Sequence, residues 1–454
     1  MSIRIVSTTA MATAWLVACG PAHAIDLMGS YQRALGVDPS FLAAKEAREA
    51  GREQAVQGRA LLLPNITASG DATWRQVETE SDLAAQFGSV LPAESAGNLY
   101  GYSVTLKQPL YRAEAFATNQ QFKGRSELAE VSYRDAQQAV ILRVARAYFG
   151  VLLAQDTVRL TAAQKAATKE QLDTAQARFD AGRARITDVR DAQARYDAIL
   201  ASEIAAESEL VLRRAEYEEV TGQAADGLAE VRPEVAPLPA EPADLAVWQA
   251  EGLDGSPQVR AKQQQLAIAA AEVDKYRFLS RPTLDLIGSY SDSRHSGDLS
   301  PVVAPDRNQS TSVVVQVSVP LFQGGSINSQ LREARAKQRE ATQDLDAAKR
   351  DARLQVREAF LAVSTGVAQV KALEQALESA KTSVDAAAIG LDVGVRTTLD
   401  VLDAQQRYYA TQRDLARARY DYLLGRLQLP AAIGQLTENE VMAVNAYLLD
   451  EPVD

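Results

Sequence analysis

The sequence predicts a mainly α-helical fold with a β-barrel portion, in which long antiparallel helical hairpins and four β-strands form two similar halves. The first observation is an internal duplication, because GRARITDVRDAQARY at 182–196 recurs as GVRTTLDVLDAQQRY at 394–408, an offset of 212. The second is a pair of proline-free stretches rich in residues that favour helices, at 110–232 and 321–429. The third is four segments of alternating apolar and polar residues. Repeats of this kind define an architecture before any local assignment.

Residues 1–24 have the pattern of a secretory signal peptide. Arg4 precedes an apolar run, and Ala22-His23-Ala24 provides a small-x-small cleavage site. A lipoprotein cleavage before Cys19 is the alternative. The helical pattern begins directly after residue 25 and leaves no tether, which favours simple cleavage.

Composition argues against several classes of function. Cleavage after residue 24 removes the only cysteine and leaves His295, in a predicted surface loop, as the one histidine. Zinc sites and Cys or Ser/His nucleophiles need these side chains, so we expect no enzymatic activity and no cofactor. The net charge of −11, or −12 once Arg4 is removed, argues against a nucleic-acid partner. No run of 18 apolar residues follows the signal, so no membrane-spanning helix is predicted.

Each half is predicted to contain a short helical segment, two strands and one long helical hairpin. The halves cover 25–232 and 244–436, a proline-rich linker occupies 233–243, and a C-terminal segment follows at 437–454. The short helical segments are expected at about 26–61 and 244–279. Gly182 and Gly394 interrupt the long helices shortly before Thr/Asp pairs, so we expect each glycine to end one helix and the pair to begin the next. A long cytosolic coiled coil is the alternative.

The alternating segments predict strands at about 65–77, 98–108, 283–292 and 310–319. Such strands, apolar on one face and polar on the other, suit a lipid-facing barrel with a wet interior, although a soluble sandwich also fits. Ile287 and Val314 break the alternation. Since four strands are too few to close a membrane barrel, several chains must share one. Two chains give eight strands around a filled interior, whereas three give twelve strands and room for a pore.

The chain resembles the TolC family of outer-membrane efflux and secretion channels over residues 25 to about 449. The resemblance is carried by ARAYFGVL at 145–152, RFDAGRARITDVRDAQARYD at 178–197, VPLFQGGSINSQ at 319–330 and VGVRTTLDVLDAQQRYYATQRDLARARYDYL at 393–423. It implies a homotrimer with a twelve-stranded barrel in the outer membrane and a helical tunnel across the periplasm. It also implies docking onto a periplasmic adaptor and an inner-membrane pump, either ABC-type or proton-driven.

The resemblance places the Gly182 and Gly394 turns at the periplasmic tip, where the family's pore narrows. Asp400 and Asp403, three residues apart on one helix face, match two aspartates that form an acidic constriction. Three chains would give two carboxylate rings, which favour cations and could bind a metal ion that plugs the pore. The alternative is that these aspartates only cap the helix.

Three further residues match positions that hold the family's tip closed through charge-assisted links between neighbouring coils: Arg396, Thr187 and Asp188. A solvated surface pair is the alternative. Two positions depart from the family pattern. Leu391 replaces a tyrosine of the gate. Asp191, the repeat partner of Asp403, replaces a neutral amide and either adds negative charge to the entrance or merely faces outward. A periplasmic adaptor protein remains the alternative function. The sequence does not identify the exported cargo.

Overall fold

The computed structural model describes residues 24–78, 94–232, 236–297 and 307–449. Cys19 and all but the last residue of the predicted signal peptide lie outside this part. The first half contains α1 (Leu27–Val37), α2 (Pro39–Ala60), β1 (Asn65–Glu78), β2 (Glu94–Tyr111), α3 (Ala113–Asp180) and α4 (Ile186–Thr221). The second contains α5 (Leu245–Gly255), α6 (Pro257–Phe278), β3 (Thr283–Gly297), β4 (Arg307–Ser318), α7 (Ser326–Asp392) and α8 (Thr398–Ala432), followed by α9 (Glu438–Asn445).

Both short helical segments are divided into two helices, whereas the sequence pattern predicts one helix in each. α2 and α6 each begin with a proline, Pro39 and Pro257. Proline has no amide hydrogen and disfavours helical geometry in the preceding residue, so it suits the first position of a new helix. Asp38 then caps α2, because its Oδ1 accepts hydrogen bonds from the amides of Ser40 at 2.8 Å and Phe41 at 3.1 Å.

The four strands form one antiparallel sheet in the order β1-β2-β3-β4. Each strand therefore pairs with its sequence neighbour, and β1 and β4 are the edges. The strands extend further toward the connecting loops than the alternation predicted. One consequence is that His295, expected in a surface loop, lies in β3 opposite Leu99. Ladder hydrogen bonds continue there after the apolar alternation has ended, which is why the pattern missed these strand ends.

Over most of its length, one face of the sheet is apolar and exposed in the single chain. Exposed side chains on this face belong to Ile66, Trp74, Tyr100, Val313, Val315 and Val317. The opposite face carries small polar side chains, with Ser69 and Ser103 joined at 2.9 Å and Ser289 and Ser312 at 2.8 Å. The two residues that break the alternation, Ile287 and Val314, are paired directly across β3 and β4. They therefore form an apolar cross-strand pair on a face that is mostly polar.

An ion pair joins the sheet to the helical part at the start of α3. Arg112 precedes the helix, and its Nε and Nη2 donate to the two carboxylate oxygens of Asp285 in β3 at 3.0 and 2.7 Å. Asp285 is only 5% exposed, and Lys107 approaches it at 3.5 Å. This bidentate ion pair fixes the position at which the chain leaves the sheet and enters α3.

The long helices form two antiparallel hairpins, α3–α4 and α7–α8. α3 has 68 residues and α7 has 67, so each is roughly 100 Å long at about 1.5 Å per residue. The heptad-spaced Val356, Val363 and Val370 are fully buried, as expected for the seam of a coiled coil. None of the helices in the described part of the chain is long and apolar enough to cross a membrane.

The largest core cluster lies part-way along the hairpins, where both halves meet the short helices. Tyr148 on α3 is fully buried, and its hydroxyl lies 2.8 Å from the Ala229 carbonyl and 3.0 Å from that of Ile25. Nearby, the Tyr217 hydroxyl is 2.7 Å from that of Ser30. These polar groups are satisfied inside an apolar cluster, which ties the segment before α1 and the segment after α4 to the hairpins.

Candidate functional site at the tip of the hairpins

Both hairpins turn through the same backbone motif. Gly182 and Gly394 have φ values of 72° and 81°, a left-handed conformation that favours glycine. In the first turn the Arg183 amide donates to the Arg178 carbonyl at 2.7 Å. In the second, the Val395 amide donates to the Gly390 carbonyl at 2.9 Å. These bonds close a Schellman motif at the end of α3 and of α7.

Capping hydrogen bonds begin both return helices. Thr397 precedes α8, and its hydroxyl accepts a bond from the Asp400 amide at 3.2 Å. The Asp400 carboxylate accepts in return from the amide and hydroxyl of Thr397, both at 2.8 Å. In the first hairpin the Arg185 amide donates to Asp188 at 3.2 Å. The second turn is thus a glycine followed by a capping box. The first is a glycine followed by a single capping bond to Asp188, because an arginine side chain has no acceptor for the return bond.

The two predicted constriction residues are both engaged within one chain. Hydrogen bonds from the Thr397 amide and hydroxyl, with the Arg396 charge 3.8 Å away, hold the pKa of Asp400 below its usual range. The Asp403 carboxylate accepts a hydrogen bond of 2.6 Å from Arg195 on α4. Asp400 therefore caps α8, and this role is compatible with a position facing a pore. Asp403 instead has a cationic partner in the other hairpin.

Two ion pairs between the hairpins were not predicted from the sequence. Arg195 reaches across from α4 to Asp403 and also donates to Gln406. Arg178 near the end of α3 donates to Asp392 at the end of α7, at 2.8 Å. Each arginine belongs to the first half and each aspartate to the second. The repeat offered one signal, because Arg195 and Asp403 both recur at the offset of 212, but it did not say which residues would meet.

The predicted gate residues are not brought together within one chain. Arg396, in the turn before α8, lies at 3.8 Å from Asp400 of that helix, and Asp188 caps α4. Thr187 and Asp191 are exposed near the start of α4. A link from Arg396 to Asp188 between neighbouring coils therefore remains a prediction. In the described part of one chain, no group of three or more potential ligands is placed to hold a metal ion.

Leu391 occupies an apolar environment. It packs against a small cluster formed by Ala387, Val401 and Ala404, between the end of α7 and the start of α8. A leucine at this position contributes to packing within the second hairpin rather than to a hydroxyl link. The tip of this chain is thus held by apolar contacts and ion pairs.

Comparison with known proteins decides the family. The model of the outer membrane efflux protein family matches residues 30–223 and 249–435, one match for each half. The chain belongs to the outer membrane efflux protein family. Outer membrane protein TolC of Vibrio cholerae is 34% identical over 432 residues, which cover 92% of each chain. Alkaline protease secretion protein AprF of Pseudomonas aeruginosa is 32% identical, covering 94% of this chain and 88% of that protein.

Solved structures support the same fold at lower identity. The CmeC outer membrane channel of Campylobacter jejuni superposes with a TM-score of 0.77 at 17% identity, covering 93% of this chain and 90% of that one. The outer membrane protein VceC of Vibrio cholerae gives 0.75 at 18% identity, covering 90% and 96%. The predicted fold class, with internal duplication, long hairpins and a four-stranded sheet, is confirmed, as is the assignment of this outer membrane efflux family protein to the outer membrane.

Proposed function

We propose that three copies of this chain form the passive exit duct of a tripartite efflux pump or a type I protein secretion system. The observation that carries this proposal is the open four-stranded sheet, with an exposed apolar face, joined to two repeated long hairpins. The sheet would contribute four strands to a shared twelve-stranded barrel in the outer membrane. The hairpins would line a tunnel that extends into the periplasm.

The sheet edges support assembly from several copies. β1 and β4 each have one neighbouring strand in the described structure. The backbone N–H and C=O groups on their free edges therefore need hydrogen-bond partners. In lipid, each unpaired backbone group costs several kcal/mol, and closed barrels are the solution that strands adopt. Eight strands from two copies would enclose an interior filled by side chains. Twelve strands from three copies leave room for cargo.

The relatives support a role in export. AprF is named for the secretion of a protease, and a Pseudomonas putida relative, 28% identical over 42% of this chain, is named as the outer membrane protein of a toluene efflux pump. A passive duct has no energy source of its own. An inner-membrane pump, ABC-type or proton-driven, would supply the energy, and a periplasmic adaptor would connect the pump to the duct. A periplasmic adaptor, the alternative from the sequence, would carry one helical hairpin, whereas this chain has two.

The tip would be the gate of the duct. Three copies of Asp400 and Asp403 would surround the axis as two acidic rings, with Gly182 and Gly394 in the turns that form the entrance. Arg396, Thr187 and Asp188 would link neighbouring coils in the closed state. Opening would then require the hairpins to move apart and these links to break. The Asp400 ring would favour cations and could bind a plugging metal ion. The Asp403 ring would add to this once opening breaks the bond from Arg195, which offsets its charge within one chain.

A conductance experiment tests the proposed function. The purified protein is inserted into planar bilayers, and the reversal potential is measured in a salt gradient. We expect discrete conductance steps and cation selectivity, which Asp400→Asn with Asp403→Asn reduces because three carboxylates are lost from each ring. The control is Asp385→Asn with Asp414→Asn, which removes two exposed charges farther from the turn. An unchanged reversal potential would exclude the acidic constriction, and absence of any conductance would exclude the duct.

A further inference from the structure

The two hairpins of one chain meet along a single junction. At the tip, Arg195 on α4 donates to Asp403 on α8 at 2.6 Å. Farther from the tip, Phe149 on α3 lies against Tyr420 on α8, with ring centroids 5.9 Å apart. Leu423, one turn beyond Tyr420, is fully buried. At this junction the first hairpin thus contributes an arginine and apolar side chains. The second hairpin contributes an aspartate and the apolar side chains that pack against those of the first.

Each hairpin also has an outer flank, the side that does not face the other hairpin of the same chain. The duplication places the same pair of charges on these two outer flanks. The repeat partner of Arg195 is Arg407, and the repeat partner of Asp403 is Asp191, both at the offset of 212. Each hairpin therefore carries both an arginine and an aspartate, but one chain contains only one junction between hairpins. Asp191 and Arg407 are exposed, and within the described residues neither side chain has an ion pair or a hydrogen bond.

Apolar residues on the outer flanks follow the same rule. Leu361 is 47% exposed, whereas its repeat partner Phe149 is 1% exposed. Val211 is 68% exposed, whereas its repeat partner Leu423 is fully buried. The residues left open on the outer flanks are thus the counterparts of residues that are covered at the inner junction. A second copy of this chain is the partner that presents both complementary flanks.

We propose that Arg407 of one copy forms an ion pair with Asp191 of the neighbouring copy, with the geometry of the internal Arg195–Asp403 pair. In a closed trimer the tip would then be ringed by six Arg–Asp pairs, alternately within and between copies. Asp191 would be matched by a guanidinium and would not add net negative charge to the entrance. This inference rests on the proposed trimeric duct and specifies how its copies recognise one another at the tip.

Thiol cross-linking tests the pairing in the full-length protein. A disulfide requires its two Cα atoms to lie within about 7 Å of each other. The Cα atoms of an Arg–Asp pair are farther apart, so a short bis-maleimide is used. Asp191→Cys with Arg407→Cys should convert the protein to covalent trimers on denaturing gels. Arg195→Cys with Asp403→Cys should give a cross-link inside one chain and no such trimers. Either single variant should remain monomeric on the gel, which also controls for Cys19.

A spacing control uses Glu207→Cys with Arg407→Cys, because Glu207 is roughly 24 Å along α4 from Asp191 at about 1.5 Å per residue. This control should give no covalent trimers. The proposed pair is wrong if the control cross-links to the same extent as the Asp191 variant. It is also wrong if the Asp191 variant fails to cross-link in protein that is trimeric and conducts. In both cases the proposed duct is unaffected. Monomeric protein without conductance would overturn the duct and this inference together.

Charge reversal provides a second measurement. An exposed ion pair shifts an equilibrium by about 1.4-fold to fivefold, so three symmetric pairs should shift it by about threefold to a hundredfold. We expect Asp191→Arg alone and Arg407→Asp alone to raise the open probability of the channel by about that factor. Combining the two reversals should restore the closed state, because the opposite charges meet again. Failure of the combined variant to recover would overturn the proposed pair.

Discussion

At the scale of single residues, Asp38 illustrates how one side chain serves two structures. Its Oδ1 caps α2, and its Oδ2 accepts from Arg143 on α3 at 2.8 Å. The carboxylate is 3% exposed. Burial raises the pKa of Asp38, but hydrogen bonds from Ser40 and the Phe41 amide, together with the Arg143 charge, lower it by more. The net pKa of Asp38 therefore lies below its usual range.

We expect Asp38→Ala to lower the free energy of unfolding by about 1–3 kcal/mol, through loss of the cap and of the ion pair. Asp38→Asn should lose less, since asparagine also caps helices. Because the folded pKa is depressed, the carboxylate stabilises the fold above about pH 4, near the unfolded pKa. This contribution is lost as pH falls through the folded pKa. Heat-denaturation midpoints measured against pH check this, with Asp274→Asn at an exposed position of α6 as the control.

At the scale of elements, the turn between α7 and α8 depends on a backbone conformation that other residues adopt at a cost. Gly394 has a φ of 81° and no atom within 4 Å of the place where a Cβ would lie. Space is therefore not the constraint, and the backbone dihedral is. The turn, the capping box of Thr397 and Asp400, and the apolar cluster around Leu391 together determine the tip of the second hairpin.

Gly394→Ala should destabilise the turn by about 1 kcal/mol, because alanine is strained at positive φ. The expected readout is faster cleavage of the tip by a protease in the native protein. The matched control is Gly36→Ala, since Gly36 lies in helix α1 and a Cβ added there would meet nothing within 4 Å. Alanine favours a helix interior, so this control should be neutral or stabilising. Equal proteolysis of the two variants would contradict the argument.

At the scale of the whole molecule, the two faces of the sheet determine how the protein meets its surroundings. Val315 and Val314 are adjacent in β4 and exposed in the single chain by 60% and 46%. Val315 lies on the apolar face opposite Leu286, and Val314 lies on the polar face opposite Ile287. In the proposed barrel, the first face would contact lipid and the second would contact water.

Val315→Arg should therefore destabilise the assembled barrel by about 2–4 kcal/mol, the cost of an arginine facing the middle of the bilayer. Val314→Arg is the matched control, with the same substitution one residue away, and should cost much less. The heat resistance of the detergent-solubilised oligomer measures the difference. Equal losses for both variants would argue against a membrane barrel with these faces.

The sequence by itself determined the features that depend on nearby residues. The duplication, the turns at Gly182 and Gly394, the caps around Asp400, and the alternation along the four strands are all written in short-range patterns. They could be read because glycine, proline and periodic apolar residues act on the backbone within a few positions. The division of the short helices at Pro39 and Pro257 was available from the same signals and was missed.

Only the tertiary structure decided which distant residues meet. Arg195 and Asp403 are 208 positions apart, and Arg112 and Asp285 are 173 apart. Several arginines and aspartates on each hairpin were equally compatible with the helical pattern. The choice among them depends on how the two halves pack and on the register of β2 against β3. That packing is set by many contacts acting together, so no local pattern in the chain specifies it.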